Sequence, residues 1–320
     1  MAYLLLALGI TLLLLGGTAL VKGASAIAYR FDVSAVFVGL TVVAFGTSTP
    51  ELVVNITGAL RGATDLAFGN AVGSNLANFG LVLGIAALLS PIYLQGQVVR
   101  REVPFLLLVT AILMVMAADG PLSGGTPLLD RGDAIILFLL FTIFVYFMVR
   151  DLAREKEDPL VKEADQATSG GTALVTEIIL VVVGIAMLTY GGQLTITQGE
   201  IIAIRLSVSE VVIGILLVAI GTSLPELVTS AIAAYKNETD LALGNIVGSN
   251  IFNSLVVLPS AGLIRPVPVP TGGALDLAVA FLFVLVVIPL FFFSNARLGR
   301  GAGAALLVSY LLYMAYRFSA

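Results

Sequence analysis

Cysteine, histidine and tryptophan are absent from this 320-residue sequence, and charge is scarce. Without Cys there is no disulfide, thiol nucleophile or thiolate metal site, and without His the usual proton shuttle and the commonest transition-metal ligand are gone. Oxygen is the strong ligand type that remains. Charged residues make up 11% of the chain, and a net charge of -4 without a basic stripe offers nothing to nucleic acid. No nucleophile-base pair is evident, so an intramembrane hydrolase built on a carboxylate dyad is disfavoured and the chain is not read as an enzyme.

What fills the sequence instead is apolar. Hydrophobic residues reach 59% and the mean hydropathy is +1.07, far outside the range of soluble domains. The expected class is an all-α membrane protein. Apolar stretches of about 20 residues predict ten transmembrane helices, near 3 to 28, 35 to 60, 65 to 90, 103 to 118, 132 to 150, 172 to 198, 208 to 234, 240 to 263, 274 to 293 and 302 to 318. The first run resembles a signal peptide, yet no Lys or Arg precedes Lys22 and a related run recurs mid-chain, so it is read as a span.

One long polar segment, "RDLAREKEDPLVKEADQATSGG", interrupts the pattern. It divides the chain into a first five-helix repeat (1–150), a polar cytoplasmic linker (151–171) and a second five-helix repeat (172–320). Ten Lys and Arg, among them Arg100, Arg101, Arg150 and Arg154, collect on one side of this arrangement against five on the other. Basic loops face the cytoplasm. Both termini are therefore expected outside, in a multi-pass protein of the cell (inner) membrane.

The halves are related by a constant offset of 175 residues. "TDLAFGNAVGSNLAN" (64–78) matches "TDLALGNIVGSNIFN" (239–253) at 11 of 15 positions, and "GTSTPE" (46–51) matches "GTSLPE" (221–226). Five spans per half make the second copy cross the membrane in the opposite sense, the inverted-repeat plan of many secondary transporters.

Each GTS motif places a carboxylate, Glu51 or Glu226, roughly midway along an apolar span. An ionised group there costs on the order of 3 kcal/mol or more and normally faces a partner or a wet cavity. Pro50 supplies no N–H, so the carbonyl of Gly46 loses its helical partner, and helices 2 and 7 are expected to be broken. Freed carbonyls survive at membrane depth only when buried in protein or lining water, which a cation satisfies. Further oxygens come from Ser74 and Asn78, four apart on one helix face, and from Ser249 and Asn253 at the repeat positions, with Asn75 and Asn250 beside them. Gly69 with Gly73, and Gly244 with Gly248, allow close helix approach. Two bidentate glutamates and one carbonyl from each GTS turn give six oxygens, within the 6 to 8 that Ca²⁺ takes, with waters or Asn amides completing the shell. Mg²⁺ fits less well, since it prefers a tighter octahedron. A cation channel using the same oxygens is the rival reading, and the internal pseudo-two-fold around a single central pair argues against it.

These blocks resemble the cation/Ca²⁺ exchanger superfamily, and within it the prokaryotic sodium/calcium exchangers. The resemblance covers nearly the whole chain. It implies antiport of Na⁺ for Ca²⁺ by alternating access, with no cofactor, the ions as substrates and the lipid bilayer as the surrounding partner; it leaves the oligomeric state open, a monomer being compatible. It further implies Ca²⁺ between Glu51 and Glu226 with the carbonyls of Thr47 and Thr222, one Na⁺ site at Ser48 and Ser74, and another at Ser223 and Ser249. The carbonyls of Ala44 and Ala219 contribute to the sodium sites. Relatives commonly carry Asp where this chain has Asn253, so a third central carboxylate is missing, and coupling to H⁺ or K⁺ stays open beside sodium.

Overall fold

The computed structural model describes residues 1–93, 98–118, 124–155, 173–206, 221–293 and 297–319. These residues are helical apart from short connections and four two-residue strands. The first helix, α1, runs Ala2–Arg30, followed by α2 (Ala35–Thr47) and α3 (Thr49–Leu60), which meet at a 42° bend. Next come α4 (Leu66–Leu89), α5 (Val103–Met116) and α6 (Arg131–Glu155). Beyond the linker lie α7 (Leu174–Arg205), α8 (Leu224–Tyr235), α9 (Thr239–Ile264), α10 (Gly273–Phe293) and α11 (Arg300–Ser319).

Six of these, α1, α4, α6, α7, α9 and α10, are long and apolar enough to cross a membrane, and the bent α2–α3 pair makes a seventh. The segments expected at 103 to 118 and 302 to 318 are helical as α5 and α11. The expected break in helix 7 lies partly outside the described residues, which resume at Gly221, and α8 is its second limb.

Local sequence explains the ends of these elements. Helices α3 and α8 each carry Pro in the first turn, where its missing N–H costs nothing. Each stops at a left-handed residue, Gly62 at φ +84° and Asn237 at φ +63°. There Ala63 and Glu238 donate back to Gly58 and Ala233 at 2.9 and 2.8 Å, closing a Schellman cap. Helices α4 and α9 end at Ser90 and Arg265, both extended, because the proline after each excludes the helical region. That extension forms short ladders the sequence reading did not foresee: β1 (Ile92–Tyr93) pairs with β4 (Arg297–Leu298), and β2 (Leu128–Leu129) with β3 (Val267–Pro268), both antiparallel.

The offset of 175 recurs in the backbone. A π-helical turn spans Asn78–Val82 in α4 and Asn253–Val257 in α9. Such turns often mark functional sites.

Helices α4 and α9 form the centre, 78% and 94% buried, whereas α1, α6, α7 and α10 are 22–33% buried and turn most of their surface outward. Close approach needs glycine where α9 meets α2: a Cβ on Gly244 or Gly248 would lie 2.5 Å from the carbonyl of Val36 or Leu40. Gly69 and Gly73 have no such neighbour among the described residues.

The outer pair α1 and α7 also pack through glycines. Gly9 faces Gly191 and Thr195, Gly16 faces Gly184, and Gly23 faces the Glu177 carbonyl, so the two helices run antiparallel. At 1.5 Å per residue they are about 44 and 48 Å long, more than the ~30 Å hydrocarbon core. At one end Arg30 grips Glu177 with two bonds of 2.7 and 2.8 Å.

Candidate cation-binding site

The site forms where the two GTS turns meet the two central helices. Ser48, between α2 and α3, has φ -85° and ψ 8°, and Ser223, before α8, has φ -86° and ψ 8°. The same residue types give the same break twice. After the break, Glu51 and Glu226 stand in the first turns of α3 and α8, where the positive end of the helix dipole favours a carboxylate. The carbonyl end of α2 arrives at the same place at Thr47. In the second half the Thr222 carbonyl accepts no backbone N–H among the described residues, which leaves it for another partner.

Both glutamates are buried, 0% and 1% exposed. They are not alone in this: Glu102 and Glu177 are equally buried, but each lies near a helix start and bonds an arginine, Arg101 and Arg30. Among the described residues neither Glu51 nor Glu226 has a cationic partner. Glu226 Oε1 accepts the Ser48 hydroxyl at 3.0 Å. Among the described residues, Glu226 Oε2 and both oxygens of Glu51 have no hydrogen-bond partner.

The central helices add hydroxyls and amides. Ser74 bonds Thr222 at 3.1 Å, and Thr47 donates to Asn245 at 3.1 Å. Asn78 donates to Asn250 at 2.9 Å, Asn250 to the Asn75 carbonyl at 3.1 Å, and Asn75 to Ser254 at 2.9 Å. Asn75 Oδ1, Asn78 Oδ1, Ser249 Oγ and both polar atoms of the Asn253 amide are buried without a partner among the described residues.

A buried polar atom costs free energy unless it is paired. Here the unpaired atoms are nearly all acceptors, converging from both halves, which is the donor set of a hard cation. No group of three or more His, Cys, Asp or Glu occurs among the described residues. A cation held here uses two carboxylates and draws its remaining oxygens from hydroxyls, amides and carbonyls.

Ten of the twelve residues expected at the site thus fall on the two GTS turns or the facing stretches of α4 and α9. Ala44 is fully buried in α2 one turn before Ser48, and Ala219 lies outside the described residues. Motif reading passed over Asn55, Asn70, Ser230 and Asn245, which bond one another in the two halves. Their common offset of 175 was the available signal. An apolar cavity of about 250 Å³ opens between Pro50, Pro225, Gln193 and Gly192 and reaches Thr222.

The family model for the sodium/calcium exchanger protein matches residues 1–150 and 176–319. The chain is 36% identical to the putative antiporter CaxA of Alkalimonas amylolytica, over 97% of each chain. To the sodium/calcium exchanger MaX1 of Methanosarcina acetivorans it is 29% identical, over 99% of this chain and 98% of the other. Among solved structures, the sodium-calcium exchanger NCX_Mj soaked with Na⁺ and Ca²⁺ superposes with a TM-score of 0.83 at 29% identity, covering 98% of this chain and 97% of that one. With its apolar spans, its central oxygen-lined turns and these relatives, the chain is a multi-pass membrane protein that belongs to the sodium/calcium exchanger family of cation antiporters.

Proposed function

We propose that the protein exchanges Na⁺ for Ca²⁺ across the cell membrane by alternating access to one mid-membrane site. One observation carries this: two buried glutamates, without a cationic partner among the described residues, stand at the starts of α3 and α8, each at a proline break, among unpaired oxygens from both halves. Glu51 and Glu226 balance one Ca²⁺, with the Thr47 and Thr222 carbonyls as further ligands and the Asn78 and Asn253 amides nearby. Sodium occupies the flanking positions, one at Ser48 and Ser74, the other at Ser223 and Ser249, with the carbonyls of Ala44 and Ala219. Both ions draw on the same carboxylates, so they compete.

The architecture in this reading is ten helices in two inverted five-helix repeats, 1–150 and 172–320, with the linker in the cytoplasm and both termini outside. The antiparallel run of α1 against α7 and the elements recurring at an offset of 175 support it. The cavity beside Thr222 is one route toward the site, and α1 with α7 are the elements whose displacement opens and closes it. The NCX_Mj structures that this chain resembles concern extracellular ion exchange and induced binding-site occlusion, which accords with such a cycle.

Sodium-gradient-driven uptake of ⁴⁵Ca²⁺ into proteoliposomes tests the proposal. Uptake that follows an outward Na⁺ gradient is expected. Equal uptake without that gradient overturns sodium exchange, and dependence on a H⁺ or K⁺ gradient instead would reassign the coupling ion.

A further inference from the structure

The blocks carrying Ser74 and Ser249 each contain an asparagine one helical turn earlier, Asn70 and Asn245. Asn245 is 0% exposed. Its Nδ2 donates to Ser230 Oγ at 3.0 Å, and its Oδ1 accepts the Thr47 hydroxyl at 3.1 Å. In the first half Asn70 Nδ2 donates to Asn55 Oδ1 at 2.7 Å and to the Glu51 carbonyl at 3.3 Å. Asn55 and Ser230 each follow their glutamate by four residues, hence on the same helix face. The amides therefore tie the serine helices α4 and α9 to the glutamate helices α3 and α8.

Asn245 does one thing more. The Thr47 hydroxyl has a single proton; its nearest acceptors are Asn245 Oδ1 at 3.1 Å and the Ala44 carbonyl at 3.3 Å, with the Glu226 carboxylate close by, and the Ala44 carbonyl also accepts the Ser48 N–H at 3.0 Å. Whichever acceptor takes the proton is less available to a cation. Asn245 cannot turn its Oδ1 away without also losing Ser230, because the same amide holds both bonds.

We infer that Asn245 is a positioning residue for sodium: it holds the Thr47 proton and thereby leaves to the ion the second lone pair of the Ala44 carbonyl, whose first accepts the Ser48 N–H. This rests on the exchange reading, in which Ala44 contributes to a sodium site. The residue acts across the two halves, from α9 onto the turn after α2. It touches no ion itself. Its identity matters because a carboxamide supplies a donor and an acceptor at fixed geometry, which neither a hydroxyl nor an apolar side chain does.

The test is displacement of ⁴⁵Ca²⁺ from purified, monodisperse protein by Na⁺. In Asn245→Ala the Thr47 proton turns to Ala44, and half-displacing Na⁺ is expected to rise about tenfold, with Ca²⁺ affinity changed less. Adding Thr47→Val removes the competing proton while keeping the Thr47 carbonyl, so the double variant is expected to recover to within about twofold of the Thr47→Val protein. A purely structural Asn245 predicts the reverse, a double variant at least as impaired as the single one. That outcome, or an unchanged half-displacing Na⁺ in Asn245→Ala, overturns the inference. Should Asn245→Ala fail to give monodisperse protein, Asn245→Ser keeps a polar group there yet is too short to reach Thr47, and is judged by the same criteria. Failure of Na⁺ to displace Ca²⁺ from the unsubstituted protein overturns the exchange reading, and this inference with it. Normal displacement without recovery in the double variant overturns the inference alone.

Discussion

Ser48 donates its hydroxyl to Glu226 Oε1 at 3.0 Å, joining the break of one half to the carboxylate of the other. The equivalent bond from Ser223 to Glu51 is not made: among the described residues both carboxylate oxygens of Glu51 are without a partner. Two copies of one motif thus meet in an unsymmetrical way. A hydrogen bond to a charged group contributes about 1.5–3 kcal/mol. Ser48→Ala is therefore expected to weaken ion binding by about ten- to a hundredfold, with half-saturating Na⁺ affected more than Ca²⁺ because Ser48 is also a proposed sodium ligand. Titrating Na⁺-dependent ⁴⁵Ca²⁺ flux in Ser48→Ala measures this, and unchanged half-saturation for both ions contradicts it.

Neutralising either carboxylate removes half of the charge that balances a divalent ion where solvent screening is weak. Glu51→Gln and Glu226→Gln keep the side-chain shape. Each is expected to reduce Na⁺-dependent Ca²⁺ uptake by more than about a hundredfold, the scale of breaking a buried charge pair, while size-exclusion behaviour in detergent stays unchanged. Transport at the original rate in both variants removes the site from the protein's mechanism.

The prolines separate stability from function. Pro50→Ala restores an N–H that can bond the Gly46 carbonyl and straighten the 42° bend between α2 and α3. The expected variant melts at the same temperature or higher and exchanges more slowly, as when a strained functional feature is relaxed. Thermal unfolding followed by light scattering, beside flux from the same preparation, checks both halves of the statement. A variant with lower melting temperature and intact flux refutes it.

Glycine contacts make a sharper structural prediction. At Gly244 a Cβ would meet the Val36 carbonyl at 2.5 Å, and the obstacle is backbone rather than a movable side chain. Gly244→Ala is expected to destabilise by about 1–3 kcal/mol, the usual cost of overpacking. Gly69→Ala, at the matching position of α4 but with nothing within 4 Å among the described residues, is expected to be neutral or slightly stabilising, since Ala favours helix. Equal loss of stability in the two variants contradicts the packing described.

Much of this was legible in the sequence because membranes impose simple rules. A proline, two hydroxyls and a glutamate inside an apolar run are too costly to be incidental, and their recurrence at 175 residues located the turns before any coordinates. Which spans lie at the centre was harder. Protein interior and lipid are both apolar, so hydrophobicity alone does not separate them; the two most buried spans, α4 and α9, are in fact the least apolar of the six. Pairing between halves was not legible at all. Nothing in two near-identical motifs says that Thr47 bonds Asn245 while Thr222 bonds Ser74, because that choice belongs to one conformation of a symmetric sequence. Glu102 and Glu177 also escaped notice as buried groups, since an arginine near each helix start reads as an ordinary solvated end.

The glycine-faced pair α1 and α7 has a consequence for how the membrane itself enters the cycle. Joined along their length and pinned by Arg30 and Glu177, they form a flat two-rod plank that rests on the centre through an apolar face, Leu20, Val21 and Val181 packing with Val38, Val43 and Ala233. In water, lifting such a plank would expose oil to solvent. In a bilayer, acyl chains take the place of the side chains it leaves, at little net cost. The lipid is then a working fluid rather than a container, and turnover should track acyl-chain order and thickness in reconstituted vesicles while ion affinity stays fixed.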